Sequence, residues 1–412
     1  MAAFFSPVFR LNYPHPYRIV QFAMPGFPAS RLAGIAPFHV MELLTRAKAL
    51  EAEGRDIIHM EVGEPDFPTP DPIIAAAQAH IATGRVFYTS ALGLPELRSA
   101  IAGFYATRYG LTVPASRIVV TAGASGALLL ALACLAEPGS EWLLTDPGYP
   151  CNSNIVRSFE GKPVFIPVHA ENNFQPTLTD LEQYWNERTA GALFASPANP
   201  TGTLLDDNVL AAIAGFVRHK RGQLIVDEIY HGLTYEREAT TALQFGDDIF
   251  VVQSFSKYFN MTGWRLGWLV VPERFARDIE KLAQNLFIAP STPAQYAALA
   301  AFQPDTIAIL EKRRIEFRRR RDYLVPEIEK LGFRLSAEPE GAFYLYADCS
   351  KFTSDSERFA RDLLDTAGVA TTPGLDFGSH AAKSHLRFAY TTRSERLIEA
   401  VDRIHHYLVK SR

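Results

Sequence analysis

Ser254-Phe255-Ser256-Lys257-Tyr258-Phe259-Asn260-Met261-Thr262-Gly263-Trp264-Arg265-Leu266-Gly267 is the stretch on which the reading of this chain turns. Its lysine follows two serines, and an arginine comes eight positions later. Such a set can hold a phosphorylated aldehyde at both ends. The amine closes a Schiff base with the aldehyde, while Ser254 and Arg265 take the phosphate.

Around that stretch the chain alternates between short apolar runs and helical patterns. Residues 118–121 read as a strand that enters Ala122-Gly123-Ala124-Ser125-Gly126 and a helix to about Leu135. Residues 141–145, 163–167, 191–195, 223–226, 249–253 and 268–271 read as further strands, with helices between most of them. Short apolar strands separated by helices imply a mostly parallel sheet buried on both faces. In Leu224-Ile225-Val226-Asp227-Glu228-Ile229-Tyr230 the apolar run ends in a carboxylate, at the sheet edge where open α/β folds bind ligands.

Before this region, helical spacing predicts helices over 37–54, 72–83 and 95–109, and residues 56–62 read as a strand ended by Gly63-Glu64-Pro65-Asp66. After about Asp305 one long charged helix reaches about Leu331, and its run Arg318–Arg321 reads as a solvated face. A strand at 341–346 and helices near 355–367 and 393–410 complete the chain. These patterns divide it into a large domain, residues 77–305, and a small one built from 30–76 and 306–412. Residues 1–29, broken by prolines 7, 14, 16, 25 and 28, read as a disordered extension.

With 412 residues, 48% hydrophobic and 21% charged, the composition is globular. A net charge of -4 argues against a general polyanion binder. Cys134, Cys151 and Cys349 form no metal-type cluster and imply no disulfide framework, so a cytoplasmic setting is expected and no metal is. No apolar run reaches the roughly 18 residues that span a bilayer.

The Lys257 stretch resembles the attachment signature of the class I and II aminotransferases, which use pyridoxal 5'-phosphate (PLP). The resemblance runs from about Ser30 to Tyr407, with the motifs in family order. It implies the fold type I architecture, with a seven-stranded large sheet. It makes Lys257 the Schiff-base lysine and proton shuttle, with Asp227 on the pyridine nitrogen and Tyr230 on the ring 3-oxygen. Asn199, in Ser196-Pro197-Ala198-Asn199-Pro200-Thr201-Gly202, would share that oxygen. Gly123, Ala124 and Ser125, with Ser254 and Arg265, would cup the phosphate. Tyr88 would reach it from the other subunit of a homodimer. Tyr149, in Asp146-Pro147-Gly148-Tyr149-Pro150, occupies the position that stacks on the ring. Arg387, a lone arginine in an apolar strand, would grip the substrate carboxylate with help from Gly63 and Asn199; an internal salt bridge is the competing account.

The function so implied is ping-pong transfer of an α-amino group between an L-amino acid and a 2-oxo acid. A dicarboxylate donor needs a second cation. The relevant positions here are Ser125 and the stretch Asn285–Ser291, which carries no basic residue. A neutral or aromatic donor is therefore expected, in a pocket lined by Phe38, Tyr149 and Phe287. A PLP-dependent C–S β-lyase would share the cofactor site. An aminotransferase-like transcription regulator would need a DNA-binding module larger than residues 1–29.

Overall fold

The computed structural model describes residues 28–35, 37 and 39–410. Strand β1 (Ile58–His59) comes first and is short. The large sheet follows: β2 (Ile118–Thr121), β3 (Glu141–Asp146), β4 (Lys162–Pro167), β5 (Thr189–Ala195), β6 (Gln223–Asp227), β7 (Phe250–Ser254) and β8 (Gly267–Val270). Their spatial order is β2-β8-β7-β6-β5-β3-β4. Only β8 runs against its neighbours, β2 and β7. Almost every residue of β2, β6, β7 and β8 is buried, as expected of strands covered by helices on both faces.

β9 (Arg334–Leu335), β10 (Tyr344–Asp348), β11 (Val369–Ala370), β12 (Thr372–Pro373) and β13 (His385–Ala389) lie beyond the long helix Pro304–Leu331. β12, β13, β10 and β9 form an antiparallel four-stranded sheet, and β11 pairs in parallel with β1. The large sheet thus arises from residues 118–270, the four-stranded sheet from 334–389, and the β1–β11 pair joins the two ends of the chain.

Two expectations need correction. The strand expected over 56–62 keeps ladder pairing only at Ile58 and His59. Met60 O accepts from Ala389 N at 2.7 Å, and past it the carbonyls turn to side chains from distant parts of the chain. Glu61 O accepts from Thr372 and Arg387, Val62 O from Thr391, and Gly63 O from Lys257. The run Arg318–Arg321 is solvated only in part: Arg320 is 3% exposed and Arg321 5%. Arg320 reaches Asp66 and Glu316, and Arg321 reaches Glu236 and Asp322. Consecutive residues on a helix point about 100° apart, so one run contributes to both a buried and an exposed face. The expected disordered extension falls on residues outside those described, apart from Pro28 and Ala29.

Candidate active site

The site forms where the parallel strands end. Asp227 closes β6 and Ser254 closes β7. Ala195, the register partner of Asp227, closes β5. A cleft of about 270 Å³ opens there, bringing Gly63, Tyr149, Asn199, Asp227, Tyr230, Lys257 and Arg387 to one wall system. Seven of the residues singled out from the sequence therefore meet in one place.

Asp227 is buried, and the one described hydrogen bond to its carboxylate comes from Ile229 N at 3.1 Å. Burial raises its carboxyl to about 7, opposed by that bond and by Lys257. Lys257 donates from Nζ to Gly63 O at 2.7 Å. Loss of solvent lowers its amine to about 8; Glu64 opposes the shift, and Arg387 and Arg265 add to it. An amine in that range can take and return a proton near neutral pH. Tyr230 shares a 2.8 Å hydroxyl contact with Tyr344. Glu228 holds Ala242 N at 2.7 Å and Thr241 at 3.0 Å away from the cleft, so it is a structural neighbour.

Arg387 is 4% exposed and has no carboxylate partner among the described residues. Its Nη1 donates to Asn199 Oδ1 at 2.9 Å; Nη2 donates to Glu61 O and, at 3.2 Å, to Thr372 Oγ1. Its Nε has no partner among the described residues. The rings of Tyr344 and Phe377 lie 4.3 Å and 4.8 Å from the guanidinium. The internal salt bridge that competes with a substrate role is absent among the described residues. Neutral acceptors and aromatic faces orient the positive charge without neutralising it, which suits an incoming carboxylate.

The anion cup has its own local logic. The helix Gly123–Leu135 starts at Ala122, which has no side chain to cap it, so first-turn N–H groups stay open to an anion. Gly123 has φ +71, and a Cβ there would sit 2.8 Å from Arg265 Nη2. At Gly267 a Cβ would sit 2.9 Å from Ala124 N. These two glycines let Arg265 and β8 close on the helix start. Ser254 Oγ accepts from Ser256 N at 3.0 Å and sits opposite Gly267 in the β7–β8 register. Ser125 is exposed in the same first turn. These features fit a phosphorylated pyridine aldehyde: an uncapped helix start and an arginine at one end, a lysine and a buried carboxylate at the other.

Two expected residues lie elsewhere. Tyr88 is 81% exposed in the single chain and does not line the cleft. Its segment is tied down by Thr292 Oγ1 to Phe87 O at 2.6 Å and by Gln295 to Thr89 at 3.0 Å. Phe287 lines a separate cavity of about 150 Å³ beside Arg265, so it does not wall the cleft of its own chain. Phe38 is outside the described residues. Sequence reasoning missed Tyr344, Thr372 and Phe377, whose only signal was membership of apolar or turn segments.

A family model described as aminotransferase class I and II matches residues 55–404. The chain belongs to this family. It is 39% identical over 378 residues to the valine–pyruvate aminotransferase of Mycobacterium tuberculosis, covering 91% of this chain and 97% of that one. It is 34% identical to an aspartate aminotransferase of Thermotoga maritima, covering 92% and 98%. A solved aminotransferase structure from Mycobacterium tuberculosis superposes with a TM-score of 0.90 at 39% identity, covering 93% and 99%. The protein is thus a fold type I, PLP-dependent transaminase, moving an amino group between amino and 2-oxo acids. The lyase and regulator alternatives find no support in these relatives. No described helix is long and apolar enough to cross a membrane.

Proposed function

We propose that Lys257 carries PLP, that Asp227 faces its pyridine nitrogen, and that the donor is a neutral aliphatic amino acid. Gly123, Ala124, Ser125, Ser254 and Arg265 hold the phosphate, with Tyr88 supplied across a homodimer interface. Asn199 and Tyr230 take the ring oxygen and Tyr149 stacks on the ring. The observation that carries the reading is Arg387, a buried guanidinium without a carboxylate partner across the same cleft as Lys257 and Asp227. The two lobes, 30–76 with 306–412 and 77–305, would close over the site. The three free cysteines favour a cytoplasmic setting.

When bound, the cofactor supplies an electron sink for the charge released at the substrate Cα. Arg387 binds the α-carboxylate and fixes the Cα in place, with Asn199 holding the guanidinium orientation. Asp227, kept from water, sets a negative charge against the ring nitrogen and holds a proton there. Lys257, once free, would take the proton from the substrate Cα and deliver it to the cofactor carbon through which the amino group is transferred. The second half-reaction repeats these roles with a 2-oxo acid.

Neutral-donor preference is supported by the cleft wall. Val40, Met41, Leu44, Val62 and Ile229 line it, and Lys257 and Arg387 are its cations among the described residues. A distal carboxylate would find no further charge to pair with there. The name of the Mycobacterium tuberculosis relative, valine–pyruvate aminotransferase, points the same way. Steady-state kinetics of the loaded protein with L-valine, L-alanine, L-phenylalanine and L-aspartate test the proposal. Valine or alanine should give the highest kcat/KM; a clear preference for aspartate would contradict it.

A further inference from the structure

We propose that Asp146 is a positioning residue: it clasps the segment Ser379–His380 to the end of β3, and so sets Tyr149 and Arg387 for substrate binding. This rests on the roles given above to Tyr149 and Arg387.

Asp146 is the last residue of β3, buried, and makes no ion pair among the described residues. Its acceptors are filled by donors from one short stretch near the far end of the chain. Ser379 N lies 3.1 Å from Oδ1 and 3.0 Å from Oδ2, and Ser379 Oγ lies 2.9 Å from Oδ2. His380 N lies 3.2 Å and 3.1 Å from the two oxygens. Gly378 comes so close that a Cβ there would overlap the Asp146 carboxylate. A carboxylate that gathers two backbone N–H groups and a hydroxyl makes charge-assisted bonds, which are stronger than those between neutral groups. His380 Nε2 adds a 3.2 Å contact to His169 Nδ1, on the loop after β4.

The clasp joins two walls of the substrate cleft. On one side Asp146 leads directly through Pro147 and Gly148 to Tyr149. Gly148 N then donates to Phe377 O at 2.8 Å, a second tie between the same two segments. On the other side, Phe377 places its ring 4.8 Å from the Arg387 guanidinium. Asp376, next to it, accepts from His39 N at 2.8 Å, at the start of the helix His39–Ala52 that walls the cleft. Asp146 therefore ties the turn that carries Tyr149 to the segment that backs Arg387, and that segment holds the start of the apolar wall through Asp376. It touches neither substrate nor cofactor site, since it does not line the cleft.

Both half-reactions use Arg387, so weakening the clasp raises KM for amino and oxo acid together. In Asp146→Asn an amide NH₂ faces the N–H groups of Ser379 and His380, and one charge-assisted acceptor is lost. We expect KM for both substrates to rise about tenfold while kcat stays within about threefold. Ser379→Ala removes the Oγ bond alone and should raise both KM values by about two- to threefold, with folding unaffected. The assay uses PLP-loaded protein, with its visible absorbance recorded for each variant. An intact band with raised KM supports the clasp. Unchanged KM for both substrates in both variants, with loss confined to melting temperature or kcat, overturns it. Wild-type protein that takes up no PLP would instead sink the reading on which it rests.

Discussion

Arg387 and the pair Arg320 and Arg321 are almost equally buried, yet they are built in opposite ways. Arg320 and Arg321 sit on the long helix saturated by carboxylates: Asp66 lies 2.7 Å and Glu236 2.6 Å away. Arg387 meets only neutral oxygens and rings, and one of its nitrogens has no partner. Burial alone does not separate a structural charge from a functional one. Pairing does: a charge neutralised inside the protein holds the fold, and one left uncompensated is held ready for a ligand.

Substitutions should break this comparison in order of size. Lys257→Ala lies at the functional extreme, and turnover should fall by about 10⁴-fold or more while the protein still binds PLP. Steady-state rates at saturating valine and oxo acid check it. Arg387→Met should lower kcat/KM by about 10²- to 10³-fold, the loss expected when a buried charge-pair partner is removed. Its melting temperature should hold or rise, because an apolar side chain replaces an unpaired guanidinium. Asp66→Asn should do the reverse. It strips a bidentate partner from Arg320, so stability should fall by roughly 1–3 kcal/mol, with kcat/KM of the folded enzyme within about twofold. Urea unfolding beside kinetics on the same samples separates the two cases.

A further effect sharpens the same contrast through pH. Asp227 has its carboxyl raised from 3.8 to about 7 by burial. A carboxyl whose folded value exceeds its unfolded one binds its proton more tightly in the folded state. Its contribution is full below about 3.8 and is lost as pH rises through about 7. Cofactor-free wild type should therefore lose stability relative to Asp227→Asn between pH 4 and 7, and adding PLP should remove much of that loss. Thermal melts across the range read it directly.

How much of this was legible depended on where each residue finds its partner. The large sheet was readable because buried parallel strands are continuous apolar runs, and Asp227 was readable as a charge ending one of them. Lys257 and Arg265 lie in one long local pattern that needs no distant partner, whereas Asn199 was readable only through its order ahead of Asp227 and Lys257. The strand after Asp56 read too long because the groups that capture its carbonyls, Arg387, Thr372 and Lys257, lie far along the chain. The burial of Arg320 and Arg321 was hidden for the same reason: their carboxylates stand 254 and 85 residues away. Tyr344 and Phe377 gave no signal, since an apolar strand and a turn reveal no ring stacked on a cation. Tyr88 is exposed in its own chain, so its role cannot be read from one copy.

The central claim is that the ε-amine of Lys257 carries PLP over Asp227. Borohydride reduction of the loaded protein, followed by peptide mass mapping, tests it most directly. The account predicts a single pyridoxyl-modified peptide, the one containing Lys257. A modification on a different lysine, or none in protein that turns over substrate, would contradict it.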